Sequence, residues 1–318
     1  YQWFADSQPI AGANKSTFVL TQSQVGKTIS VLASYVDGGG TEEAVMSATT
    51  AKVANTNDAP TGSLVISGTA KQGETLLGVD TLDDPDGLGA ITYQWLADGV
   101  AISGATGLTL QLAQAQVGKL ITFRAVYTDG FGAVETVTSA ATAKVLNVND
   151  APTGSVLVAG TPTQKQTLTA SNNLADVDGM GTVTYQWLAD GVEIKGATSS
   201  SLTLVQAQVG KAISVRATYT DGQGTVETVT SLATDKVANV NDAPTGTVVF
   251  AGLATEGQTL VSTQTLADED GLGELHYAWQ VSVDGKSGWA SIAGSTDSLN
   301  TLSAALIGQY VRLVISYT

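Results

Sequence analysis

"ISVRATY", residues Ile213–Tyr219, alternates apolar and other side chains one by one. Ile213, Val215, Ala217 and Tyr219 fall on one side, with Ser214, Arg216 and Thr218 on the other. Successive side chains of a strand point to opposite faces, so the stretch predicts a β-strand with one face packed inward. The alternation recurs at Ile29, Val31, Ala33 and Tyr35, and at Ile121, Phe123, Ala125 and Tyr127. A fourth set is Val311, Leu313, Ile315 and Tyr317. Each set is expected to line a core. "TVTYQW" alternates too and places Val183, Tyr185 and Trp187 together. "ADG" at Ala97–Gly99 and Ala189–Gly191 is a hairpin signal, because Asp-Gly tolerates the positive φ of a tight turn. No segment carries a capped stripe at helical spacing. The expected class is all-β.

Working outward, these strands belong to a repeat. "YQW" begins at Tyr1, Tyr93 and Tyr185 and "YAW" at Tyr277, a period of 92 residues (93 − 1, 185 − 93, 277 − 185). "QVGK" ends at Lys27, Lys119 and Lys211. "NTNDAPTG" spans Asn55–Gly62, and "NVNDAPTG" spans Asn147–Gly154 and Asn239–Gly246. The fourth copy is lengthened within "VSVDGKSGWASIAGST", Val281–Thr296. Such a period is too long for a solenoid unit and suits a self-contained antiparallel β-sandwich of about 100 residues. The expected domains are 1–60, a partial repeat holding its carboxy-terminal strands; 61–152 and 153–244, complete repeats; and 245–318, a partial repeat without its last strand. The chain reads as a stretch of a longer tandem array.

Composition narrows the function. Of 318 residues 43% are hydrophobic, enough to fill cores, and the 35 glycines suit many tight turns. The net charge of −15 repels phosphate backbones, which excludes nucleic acid as a partner and favours divalent cations. Cysteine is absent, so thiol chemistry and disulfides are excluded. No apolar run approaches the roughly 18 residues of a membrane span, and "YQWFADSQPI" is not a signal peptide. The one histidine, His276, aligns with the outward position of Thr184 and is expected at the surface. Without cysteine and with one histidine, common catalytic triads and zinc sites are excluded, and no enzyme is expected.

From Tyr185 to Ser231, "YQWLADGVEIKGATSSSLTLVQAQVGKAISVRATYTDGQGTVETVTS" resembles the second half of an immunoglobulin-like domain. Trp187 stands at the core tryptophan and "QAQVGK" at the corner between two late strands. The set "D-x-D-G…YQW…VGK…YTDGxG…NDAP" resembles the Ig-like extender repeats of giant, RTX-type bacterial surface adhesins exported by type I systems. The "NDAP" piece is similar to the calcium-binding linker of cadherins, although their leading aspartate is missing here. The resemblance implies tandem Ig-like sandwiches outside a bacterial cell, in adhesion or biofilm formation, with neighbouring repeats as partners.

The acidic residues recur in register. Asp84 and Asp86, Asp176 and Asp178, and Asp268 and Asp270 each precede a glycine ahead of the tryptophan strand. Asp129 and Asp221 head the later "YTDG" loop, with Asp37 equivalent, and Asp58, Asn149, Asp150 and Asp242 stand in the linkers. In a sandwich of this kind the two loops and the incoming linker meet at one pole. Ca²⁺ takes about six to eight hard oxygen ligands, and this donor set is of that kind. These twelve residues, Asp37 apart, are the candidate metal ligands. Asp-Gly is also an ordinary turn former, so each aspartate has a purely structural reading. Glu135 and Glu227 flank the later loop at positions expected to face solvent, and Trp289 in the insertion is expected to extend a hairpin core. The function expected is a calcium-stiffened spacer. The alternatives are a filament segment that pairs with other copies and a carbohydrate- or protein-binding module.

Overall fold

A computed structural model describes residues 1–318. The chain is all-β: short strands form seven sheets, and the only helical turns are four 3₁₀ turns of three residues. It divides into two compact units, Tyr1–Asp150 and Ala151–Thr318.

In the first unit, Leu64–Ser67, Thr75–Asp80 and Thr109–Gln111 form one antiparallel sheet. Val134–Thr138, Ile121–Thr128, Thr92–Ala97 and Val100–Ala101 form the other, in that order. Between them lie Leu76, Leu110, Leu112, Trp95, Ile121, Phe123 and Ala125. The pairing of Trp95 with Phe123 and of Tyr93 with Ala125 turns the alternating residues of both strands into one inner face. Phe123 stacks on Tyr93 at 5.0 Å and tilts against Trp95 at 4.5 Å. Gly78 makes room for it: a Cβ there would lie 2.4 Å from the Phe123 ring. The Asp98–Gly99 hairpin has φ of 48° and 79°, as the "ADG" signal predicts. After the last strand the chain threads back beside both sheets. Val145 is buried, its N–H bonds Lys119 O at 3.0 Å, and the Leu146 N–H bonds Ala70 O at 2.9 Å.

The unit also holds a lone four-stranded sheet of Gln2–Ala5, Gln8–Pro9, Ile29–Val36 and Glu42–Met46. Here the inward reading of the first alternating set is corrected. Tyr35 is 57% exposed and Val31 and Ala33 only half-buried, because no second sheet covers this face.

The second unit repeats the plan. Its first sandwich pairs Val156–Ala159, Thr167–Asn172 and Ser201–Thr203 against a sheet of Val226–Thr230, Ile213–Thr220, Thr184–Ala189 and Val192–Glu193. Leu168, Trp187, Leu204, Ile213, Val215 and Ala217 fill it. Val215 stands where the other sandwich has Phe123, and Ala170 where it has Gly78. The large–small pair is exchanged for two medium residues, which keeps core volume. A smaller core of Leu260, Trp279 and Leu302 lies under Val248–Ala251, Thr259–Gln264 and Leu299–Thr301. There Val311 and Leu313 are half-buried, and His276 is exposed as expected.

Candidate functional site

The recurrent loops are built alike in both units, and Gly62 shows why the linker ends in glycine. It has φ of 80°, and a Cβ there would lie 2.0 Å from Thr81 O. Only glycine allows the incoming chain to approach so closely. The Thr61 N–H then bonds Asp83 O at 2.7 Å, which brings the linker to the Asp83–Gly87 loop. Gly154 and Gly246 make the same approach to Asn173 O and Thr265 O.

Within that loop Asp84 is buried and fully used. Its Oδ1 accepts the Asp86 N–H at 2.8 Å and its Oδ2 the Tyr127 hydroxyl at 2.6 Å. Burial, then the bond to Asp84 and the charges of Glu135 and Asp129, push the Tyr127 phenol well above its ordinary range. The loop is sewn to its neighbour by the Gly130 N–H on Asp86 O at 3.1 Å. Asp129 Oδ1 accepts the N–H groups of Phe131 and Ala133 at 2.9 and 2.8 Å. Its Oδ2 is buried and has no donor.

The linker enters this pole. The Asp58 N–H donates to Asp86 Oδ2 at 2.7 Å, while Gln22, from the 3₁₀ turn before the linker, donates through Nε2 to Asp86 Oδ1 at 2.5 Å. Asn57 Nδ2 donates to Glu135 Oε1 at 2.8 Å in an exposed bond, so the half-buried Glu135 also holds the linker. Asn55 Oδ1 is buried without a donor. At the end of the unit, Gln72 clasps the outgoing chain. Its Oε1 accepts the Val148 N–H and its Nε2 donates to Asp150 Oδ2, both at 3.0 Å. Asn149 lies between these two anchors, exposed.

In the second unit Asp176 accepts the Asp178 N–H at 2.8 Å and the Tyr219 hydroxyl at 2.5 Å. Asp178 is buried, and its carbonyl accepts the Gly222 N–H at 3.0 Å. Asp221 Oδ1 accepts from Gln223 and Thr225 at 2.8 and 2.7 Å, and its Oδ2 is again buried without a donor. Burial raises the Asp221 pKa, but the backbone donors of Thr225, Gln223 and Gly224 outweigh it and hold the carboxyl below its usual range. Further along, Gln164 repeats the clasp on Val240 N–H and Asp242 Oδ2, at 3.0 and 2.8 Å. The Asp242 N–H donates to Asp270 Oδ2 at 2.8 Å, and Asp268 accepts the Asp270 N–H and the Tyr317 hydroxyl.

The candidate residues thus divide. Asp84, Asp176 and Asp268 spend one oxygen inside their own loop and the other on a tyrosine hydroxyl 43 to 49 residues along the chain. Asp58, Asp86, Asp242 and Asp270 carry the linker contacts. Asp129 and Asp221 keep a free buried oxygen. No group of three or more acidic or histidine side chains converges closely enough to hold a metal by itself. The oxygens left without donors, such as Asn55 Oδ1 and Asp129 Oδ2, are hard and desolvated, which is the chemistry a calcium site uses. Asn55, Gln22 and the clasping Gln72 and Gln164 are not among the candidates read from the sequence. For Gln22 and Asn55 the available signal is recurrence: Gln22, Gln114 and Gln206 open the same turn, as Asn55, Asn147 and Asn239 open the same linker. Gln72 and Gln164 recur in two copies, with Glu256 at the third. Trp289 lies half-buried beneath the Arg312 guanidinium, 4.2 Å from ring centre, where a longer hairpin core was expected.

No protein-family model matches the chain. No curated protein matches it significantly. Among solved structures, 72 chains match. One is a Ca²⁺-stabilized adhesin with which an Antarctic bacterium binds ice: 13% identity over 99% of this chain and 88% of that one, TM-score 0.35. Another is a tetra-tandem repeat from the extending region of a large adhesion protein: 18% identity, 91% and 74% covered, TM-score 0.28. A third is the A168–A170 segment of titin: 14% identity, 81% and 92% covered, TM-score 0.24. Likeness at these scores carries no argument about this chain. The sandwich assignment rests on the strand order and register given above.

Proposed function

We propose that the chain is a spacer segment of a large bacterial surface adhesin, made of Ig-like repeats at 1–60, 61–152, 153–244 and 245–318 and stiffened by Ca²⁺ at the joints. The observation that carries the reading is the linker aspartate as a two-sided rivet. Asp242 gives its carboxylate to Gln164 of the repeat before it and its N–H to Asp270 of the repeat after it. A flexible tether has no use for such contacts; a stiff extender does.

Calcium is supported by the buried, donorless oxygens of Asn55 and Asp129 in the unit that holds the Asp58–Asp86 joint, and by the same orphan on Asp221. An ion there would supply the positive partner that these oxygens lack and would neutralise the crowd of Asp58, Asp84, Asp86 and Asp129. Extracellular calcium modules work at about 10⁻⁴–10⁻³ M, so stiffness would follow the outside medium.

Calorimetry of the 318-residue protein with CaCl₂ tests the metal. Saturable binding in that range, reduced by Asp129→Asn and Asp221→Asn, is expected; no heat at millimolar calcium removes the ion. Small-angle scattering tests the spacer. The largest dimension should be better defined in calcium than in chelator, and a floppy ensemble in both would refute it.

A further inference from the structure

Lys165 stands out against the repeat. It occupies the position of Gly73 and Gly257 in the neighbouring copies, and it keeps their backbone: φ is 68°, beside 82° and 81°. Residues with a side chain rarely adopt this left-handed conformation, and bulky ones least of all. The side chain therefore has a contact that holds it there. Its Nζ lies 2.5 Å from Asp242 Oδ1, and Asp242 Oδ2 is taken by Gln164 Nε2 at 2.8 Å. Each oxygen of this linker aspartate thus accepts a bond from the loop that precedes it. The carboxylates of Glu269 and Asp270 also act on the ammonium. A positive charge stands in the acidic crowd at the point where the other repeats place glycine.

We propose that the Lys165 ammonium is a resident cation at the joint around Asp242, so that this joint closes without metal while its siblings depend on it. The inference rests on reading the joints as stiffened by a cation, and it makes them unequal. An array with such a joint would keep one rigid connection in a calcium-poor medium. The side chain is half-exposed, so its charge acts through placement against Asp242 and not through deep burial.

The chain has no cysteine, so two introduced ones label it uniquely. Thr198→Cys and Thr296→Cys are exposed, equivalent positions on either side of the joint, and carry spin labels for pulsed distance measurement. In chelator the protein with Lys165 is expected to give a narrow distance peak, Lys165→Arg to keep it, and Lys165→Met and Lys165→Gly to lose it. Millimolar CaCl₂ should restore the peak in the last two. A broad distribution with Lys165 in chelator overturns the proposal, as does a Met variant that stays narrow there. If the Met and Gly variants broaden and calcium does not restore them, the lysine stands as the joint's cation and the calcium reading falls.

Discussion

Tyr127→Phe removes one hydroxyl from a buried pair and leaves the ring in place. In the folded chain that hydroxyl donates to Asp84 Oδ2 at 2.6 Å, with both residues buried. A hydrogen bond to a charged group contributes about 1.5–3 kcal/mol, and the variant leaves a buried carboxylate oxygen without a donor. A loss of about 2 kcal/mol is therefore expected in the sandwich of residues 64–145. The chain holds several separate cores, so a single unfolding curve would blur the effect. Hydrogen exchange resolves it: amides of Ile121–Thr128 should lose protection by roughly 30-fold, while those of Ile213–Thr220 should not change. Asp84→Ala supplies the second arm of a double-mutant cycle. The two changes should be less than additive, because each single variant strands the other's partner. A cost below about 0.5 kcal/mol, with additive behaviour, would refute the pairing as a source of stability.

Tyr93 is pushed up to about 12, and Tyr127 and Tyr219 are raised further, first by burial and then by their hydrogen-bond partners. The folded state favours the neutral phenol, so the contribution is complete below pH 10 and declines as pH rises above it; urea melts that stay constant from pH 10 to 12 would contradict this. Gln164→Leu should expose residues 238–243 to proteases and leave the Trp187 core protected, because it frees the Val240 N–H and Asp242 Oδ2; an equally resistant linker would remove the clasp from the account. Gly78→Ala should cost about 1–3 kcal/mol by driving a methyl into the Phe123 ring, and adding Phe123→Val should recover most of it, since Ala170 and Val215 are the matching pair in the other sandwich. Thermal melts of the single and double variants decide it.

The strands, hairpins and inner faces were legible in the sequence because their signals are local. Alternation at Ile213–Tyr219 and the Asp-Gly pairs depend on neighbours a few residues apart, and the repeat multiplied each signal. The joint was legible only as composition. Which aspartate oxygen is consumed depends on partners far along the chain, such as Tyr127 for Asp84 and Gln22 for Asp86, and no periodicity encodes those distances. Tyr35 shows the same limit in the core. Its pattern is that of a buried residue, but burial requires a second sheet, and alternation cannot say whether one lies above it. Lys165 is the sharpest case. In the sequence it is one lysine where its sister repeats have glycine; the turn that carries it points its ammonium at Asp242, 77 residues away. Sequence determined the strands, the period and the acidic supply. Tertiary structure decided which carboxylates are spent on a loop and its tyrosine, which rivet the linker and which keep an oxygen free, because hydrogen bonding and desolvation are settled by three-dimensional neighbours.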